Sequence, residues 1–274
     1  MGNFSHKRIK LGIAAGILAV FLFDLIWNLH GYTPRPDGVD EGVRQLQSLD
    51  ARSVSEADSM IAAIARRRQI AEGERIKAAV LAGDSDPFAM FTNYAVCGDS
   101  RTEALKAYGL LEERRIVADV GWNLDALSAH VGEIQALNPL NVFLEVGLND
   151  INGDDALDMD SFLGRFADCC RTIQAAVPDA VLYVNSIFPV RADVLEQKPY
   201  LADIPAANVR LAQMCDENGW VWIDNDAIVE QHSDLYEGDG IHFNRQFNTY
   251  WAQNMIIAQI DHDTGAGASD EEPR

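Results

Sequence analysis

Basic residues are scarce in this chain: Lys and Arg total 22 against 42 Asp and Glu, a net charge of −20. A surface that acidic repels phosphate backbones and anionic lipid head groups, which argues against nucleic acid as a ligand. The excess charge reads as a solubilising shell. Cysteine is also sparse. Cys97, Cys169, Cys170 and Cys215 include no C-x-x-C pair, so zinc and thioredoxin-type sites have no support. The four read as buried hydrophobes, or as one bridge from Cys169 or Cys170 to Cys215 in a domain outside the cytoplasm, and both readings stay open. His130, His232 and His262 have no paired ligands, and the acids Asp150, Asp154, Asp155, Asp158 and Asp160 lack EF-hand spacing. No metal and no organic cofactor is expected. No internal repeat is visible.

An uninterrupted apolar run of spanning length is missing too. The segment from Leu11 to Phe23 is shorter than the roughly 20 residues a transmembrane helix wants, and Asp24 separates it from Leu25-Ile26-Trp27-Asn28-Leu29. Counting through Asp24 restores the length, with Trp27 as an interfacial anchor and the basic cluster His6-Lys7-Arg8-Ile9-Lys10 on the cytoplasmic side. No small-residue cleavage site follows. The segment therefore reads as a single-pass signal anchor with the remaining chain extracytoplasmic; secretion after signal cleavage is the alternative.

Four parts follow from these patterns: residues 1–30 as the basic end and membrane helix, 31–85 as linker and helical stalk, 86–262 as the main globular domain, and 263–274 as an acidic disordered tail. In the stalk, Val43, Leu46 and Leu49 recur at helical spacing, and Ser53 to Glu56 has the form of a capping box. Arg66-Arg67-Arg68 reads as a solvated helix face. From Asp86 onward, strand and helix signals alternate. Apolar runs at 94–97, 115–120, 141–146, 180–185 and 220–224 predict five strands, and 124–137, 159–177, 207–218 and 246–260 predict helices. Such alternation means a mostly parallel sheet covered on both faces, with ligands bound beyond the carboxyl ends of the strands.

Polar and glycine residues gather at those ends. Gly98-Asp99-Ser100 follows the first strand and opens a helix, so the Ser100 N–H is one of the unpaired donors at a helix start. A serine hydroxyl becomes a nucleophile when a base takes its proton. His242, three residues after Asp239, is that base if the aspartate fixes its tautomer. Gly121, after the second strand, lets the backbone approach a substrate and offer its N–H. Asn149, after the third, carries the amide type that stabilises an oxyanion. Each motif alone is equally a cap or a turn. Asp99 and Asp150 read as scaffolding that accepts backbone N–H bonds.

The blocks occur in the order Ser, Gly, Asn, Asp-x-x-His, and this combination resembles the SGNH (GDSL-type) hydrolase family over about residues 86–260. The resemblance implies a three-layer α/β/α sandwich with a five-stranded, mostly parallel, flavodoxin-like sheet. It also implies Ser100 as nucleophile, His242 and Asp239 as the other triad members, and an oxyanion hole from Ser100, Gly121 and Asn149. The expected activity is hydrolysis of carboxylic esters, with short acyl esters of carbohydrate as substrates. Alternatives are O-acyl transfer to a surface polysaccharide or peptidoglycan, which needs a membrane acyl-donor partner, and a non-catalytic glycan-binding or scaffolding role. The family usually has Leu after Gly-Asp-Ser; here Arg101 stands there, at the expected lip of the pocket. Arg101, Trp122, Phe188 and Phe243 are the expected substrate-binding residues, with Trp122 equally suited to covering the sheet end.

Overall fold

A computed structural model describes Leu22, Leu25 and residues 39–50, 54–152 and 158–265. All of the expected membrane helix but Leu22 and Leu25, the capping serine Ser53, the acids Asp154 and Asp155, and most of the C-terminal tail lie outside the described residues. Among the described residues no helix is long and apolar enough to cross a membrane.

The chain divides into two compact units, residues 1–64 and 65–274. In the first, α1 spans Val39–Asp50 and α2 begins at Val54. Met60, Ile61 and Ile64 on that part of α2 are exposed.

In the second unit α2 runs on to Leu81, and its last turns belong to the core: Val80 is buried, and Ile76 packs against the same cluster. Five strands follow, β1 (Tyr94–Gly98), β2 (Ile116–Ala118), β3 (Asn141–Glu145), β4 (Val181–Asn185) and β5 (Val221–Ile223). All neighbours pair in parallel, in the order β2-β1-β3-β4-β5. This is the flavodoxin-like order expected, with its switch point between β1 and β3. The connecting helices are α3 (Ser100–Ala107), α4 (Leu124–Ala129), α5 (Val131–Leu137), α6 (Met159–Ala176), α7 (Ala192–Gln197), α8 (Ile204–Asn218), α9 (Asp226–Gln231) and α10 (Phe247–Thr264).

The strands read as continuous apolar runs because both faces are covered. Side chains of period two divide between two cores. Ala95, Cys97, Val142, Leu144, Leu182 and Val184 pack with α4, α5, α6 and α8. Tyr94, Val96, Phe143 and Tyr183 pack with α3, α10 and the end of α2. Full burial of each large apolar side chain contributes roughly 1.5–3 kcal/mol, so these two layers hold the sheet edge rigid beneath the loops. All four cysteines are free, buried thiols. Burial pushes the Cys215 thiol up to about 12, so it stays protonated and inert.

Two expectations are adjusted. The single helix predicted over 124–137 is broken at His130, which caps α4 and starts α5. The short helices α7 and α9, six residues each, are too brief to leave a periodic signal.

Candidate active site

Register places the site. Gly98 pairs with Ala118 on one side and Glu145 on the other, so β1, β2 and β3 end at one level. A Cβ at position 98 would collide with the Glu145 carbonyl and the Thr102 hydroxyl, which is why this strand ends in glycine. Asp99 then caps α3: its Oδ1 accepts the Arg101 N–H at 3.0 Å. Ser100 is thereby the first residue of the helix.

The Ser100 hydroxyl lies 2.7 Å from His242 Nε2. His242 Nδ1 lies 2.6 Å from Asp239 Oδ2, and Asp239 Oδ1 accepts the N–H groups of Ile241 (2.9 Å) and His242 (3.0 Å). Partial burial raises the Asp239 carboxyl, but the bonds from the His242 ring and from the two backbone N–H groups outweigh it and hold the acid at about 2. A charged Asp239 places the ring proton on Nδ1 and leaves Nε2 free to accept from Ser100.

The loop carrying these residues is tied at several points. Glu237 N–H donates to the His242 carbonyl at 2.7 Å, and Gly240 turns with φ +68°. From outside, the Arg191 guanidinium donates to the Glu237 and Gly238 carbonyls, both at 3.1 Å, while the Arg191 N–H donates to the Gly240 carbonyl at 2.8 Å.

The other two blocks sit on the loops after β2 and β3. Gly121 is exposed and adopts φ +77°, a conformation that favours glycine. The Asn149 amide donates to the Trp122 carbonyl at 2.8 Å, which joins the two loops. Asp150 is scaffolding as expected: Oδ2 accepts the Leu124 N–H at 3.0 Å and Oδ1 pairs with Arg165 at 2.8 Å. Trp122 stacks on His130 with centroids 4.2 Å apart and is partly buried against the core.

Three expected substrate-binding residues are placed differently. Phe188 and Phe243 are 1% and 5% exposed and pack on each other, on Phe247 and, for Phe188, on Trp251. They are core beneath the site, because the edge-to-face and stacked ring contacts bury both faces. Arg101 is not at a lip but buried, 3.5 Å from Glu145 Oε1, with its Nε donating to the Ile241 carbonyl at 3.3 Å. A cavity of about 10 Å3 between Arg101, His242 and these aromatics has room for one water at most.

Glu145 is the residue the sequence reading missed. Its one signal was a lone acid inside the run Val142-Phe143-Leu144-Glu145-Val146. The side chain is fully buried beside Asp99 and Arg101. Burial first, then the neighbouring Asp99 charge, raise the Glu145 acid well above the usual carboxylate range, with Arg101 opposing. Burial likewise raises Asp99. Both acids beside this one guanidinium are thus pushed toward the protonated form, because burial penalises their charge.

A serine bonded to an imidazole that is bonded to a carboxylate, at the carboxyl edge of a flavodoxin-like sheet, defines a serine hydrolase. The chain belongs to the GDSL-like lipase/acylhydrolase family, whose model matches residues 58–248, and it is an SGNH-type serine ester hydrolase. Among solved structures it is similar to a GDSL-like lipase from Bacteroides thetaiotaomicron (16% identity, 64% of this chain and 94% of that one, TM-score 0.47). A lipase/acylhydrolase from Enterococcus faecalis (13% identity, 64% and 97%, TM-score 0.45) is also similar. A third is a catalytic mutant of an acetylxylan esterase from Geobacillus stearothermophilus (17% identity, 63% and 93%, TM-score 0.42). No curated protein matches the chain.

Proposed function

We propose that this enzyme cleaves short acyl esters, acetyl esters of carbohydrate above all, with Ser100, His242 and Asp239 as its catalytic triad. The observation that carries the assignment is the chain of two short contacts, 2.7 Å and 2.6 Å, from Ser100 through His242 to Asp239. His242 Nε2 takes the hydroxyl proton as Ser100 Oγ attacks the ester carbonyl. The N–H groups of Ser100 and Gly121 and the Asn149 amide hold the oxyanion. Collapse of the tetrahedral intermediate breaks the C–O bond, and His242 returns its proton to the leaving alcohol. Water then attacks the acyl-enzyme with His242 again as base; the acyl C–O bond to Ser100 Oγ breaks, His242 returns the proton to that oxygen, and the carboxylic acid is released.

The short acyl group is supported by Phe188 and Phe243 being buried in the core, so these two rings do not open an apolar channel beside His242. The carbohydrate alcohol rests on the family resemblance. Partly exposed Trp122, next to Gly121, is a flat surface of the kind sugars stack on. The apolar segment 11–29 behind a basic cluster supports a membrane anchor with the hydrolase domain on the outer side.

Fluorophosphonate labelling and a p-nitrophenyl ester series test the reading. Labelling is expected on Ser100, with turnover falling from acetate to longer acyl chains. Ser100→Ala is expected to lose at least about 10⁴-fold in kcat; full activity in that variant would overturn the triad. An acetylated glycan assayed with and without an acceptor sugar separates hydrolysis from acyl transfer.

A further inference from the structure

We propose that Arg101 is a positioning residue whose buried guanidinium ties the histidine loop to the end of β3 and so sets the contact between Ser100 and His242. The inference rests on the reading of those two residues as nucleophile and base. Three separate pieces of chain meet at this one residue. Its own backbone N–H is held by Asp99, beside the nucleophile, at 3.0 Å. Its Nε donates to the carbonyl of Ile241, the residue before the base, at 3.3 Å. Its Nη1 lies 3.5 Å from Glu145 at the end of β3, two residues before Gly147 and four before Asn149. The Phe188 ring closes the remaining side, 5.4 Å from the guanidinium carbon.

The ties on the histidine loop divide its work. Arg191 grips the outer half, at Glu237, Gly238 and Gly240, from a partly exposed position. Arg101 grips the inner half from beneath, adjacent to His242 itself. Packing alone does not account for an arginine here. The family's usual Leu fills such a space without charge, and a buried ion cluster is often no better for stability than apolar side chains of similar volume. Here two guanidinium nitrogens and both Glu145 oxygens are buried with no hydrogen-bond partner beyond the ion pair. What the arginine adds over leucine is the directed N–H to Ile241.

The test is steady-state kinetics on p-nitrophenyl acetate together with thermal unfolding, on the full chain. The variants are Arg101→Leu, Arg101→Lys, and Arg101→Leu combined with Glu145→Gln. Arg101→Lys keeps a charge for Glu145 but lacks the planar Nε–H. Both single variants are expected to lose about 100-fold in kcat, the scale of a 1 Å misplacement, with KM within about twofold. The double variant is expected to recover the wild-type unfolding temperature and not the wild-type kcat. Wild-type kcat in Arg101→Lys, or kcat returning with stability in the double variant, would overturn the positioning role while leaving the triad intact. Full activity in Ser100→Ala would instead remove the triad reading, and the Arg101 proposal with it.

Discussion

Two charged groupings flank Ser100, and they differ in their access to water. Asp239 and His242 are 47% and 37% exposed at the side chain, and the bonds between them are local, all within three residues. Arg101 and Glu145 are 2% and 0% exposed, come from sequence positions 44 residues apart, and are fixed by the fold around them. In the exposed pair, water screens the charges, so the interaction adds little to stability and its value lies in orientation. In the buried cluster, desolvation dominates, so removing one partner leaves the others without compensation. On the proposed reading the two pairs do different work: Asp239 and His242 bear on rate with little effect on folding, and Arg101 and Glu145 bear on folding as well as rate.

The largest expected effect breaks the exposed side of this comparison. Asp239→Asn keeps the size of the side chain but favours the wrong imidazole tautomer, and kcat is expected to fall about 10⁴-fold. The unfolding temperature should move little, and a large drop measured by circular dichroism would show that the pair is structural. Asn149→Ala comes next. Loss of one oxyanion donor is expected to lower kcat about 10²–10³-fold, with KM nearly constant in the same assay.

On the buried side, Glu145→Ala removes the carboxyl that the buried Arg101 guanidinium pairs with at 3.5 Å. A loss of about 3–5 kcal/mol of stability is expected, read as a lower midpoint in urea denaturation. The last effect sharpens the comparison through pH. Burial raises the Glu145 acid in the folded state, so its stabilising contribution is complete below the unfolded value of about 4.3. That contribution declines as pH rises toward the folded value, by up to about 1.4 kcal/mol per pH unit. Glu145→Gln removes the titration. Its stability relative to wild type is expected to improve from pH 5 to pH 8. Asp239 has the opposite sign, since its folded value of about 2 lies below the unfolded one. Its contribution is present above the unfolded value and is lost only as pH falls toward 2. Parallel denaturation curves for wild type and Glu145→Gln across that range would place the proton elsewhere in the cluster.

Much of the fold was legible because strands covered on both faces are unbroken apolar runs, as in Val181-Leu182-Tyr183-Val184. The meeting of Ser100, Asp239 and His242 was legible because Gly-Asp-Ser closes the first strand and Asp-x-x-His stands in the loop before the last helix. Phe188 and Phe243 were misread as cleft lining. Order along the chain places them near the site, but only packing decides whether a ring faces solvent or the core. Arg101 was noticed as unfamiliar and assigned to the lip, while Glu145 passed as strand interior.

The sequence by itself determined the composition of the site and the alternation of strand and helix, since local pattern and chemistry carry both. Only the tertiary structure decided that β1 lies between β2 and β3, and that Glu145 thereby stands level with Gly98. The pairing of Arg101 with Glu145 follows from that register. A charge 44 positions away leaves no mark on local periodicity, and its partner is chosen by which strand ends the sheet brings together.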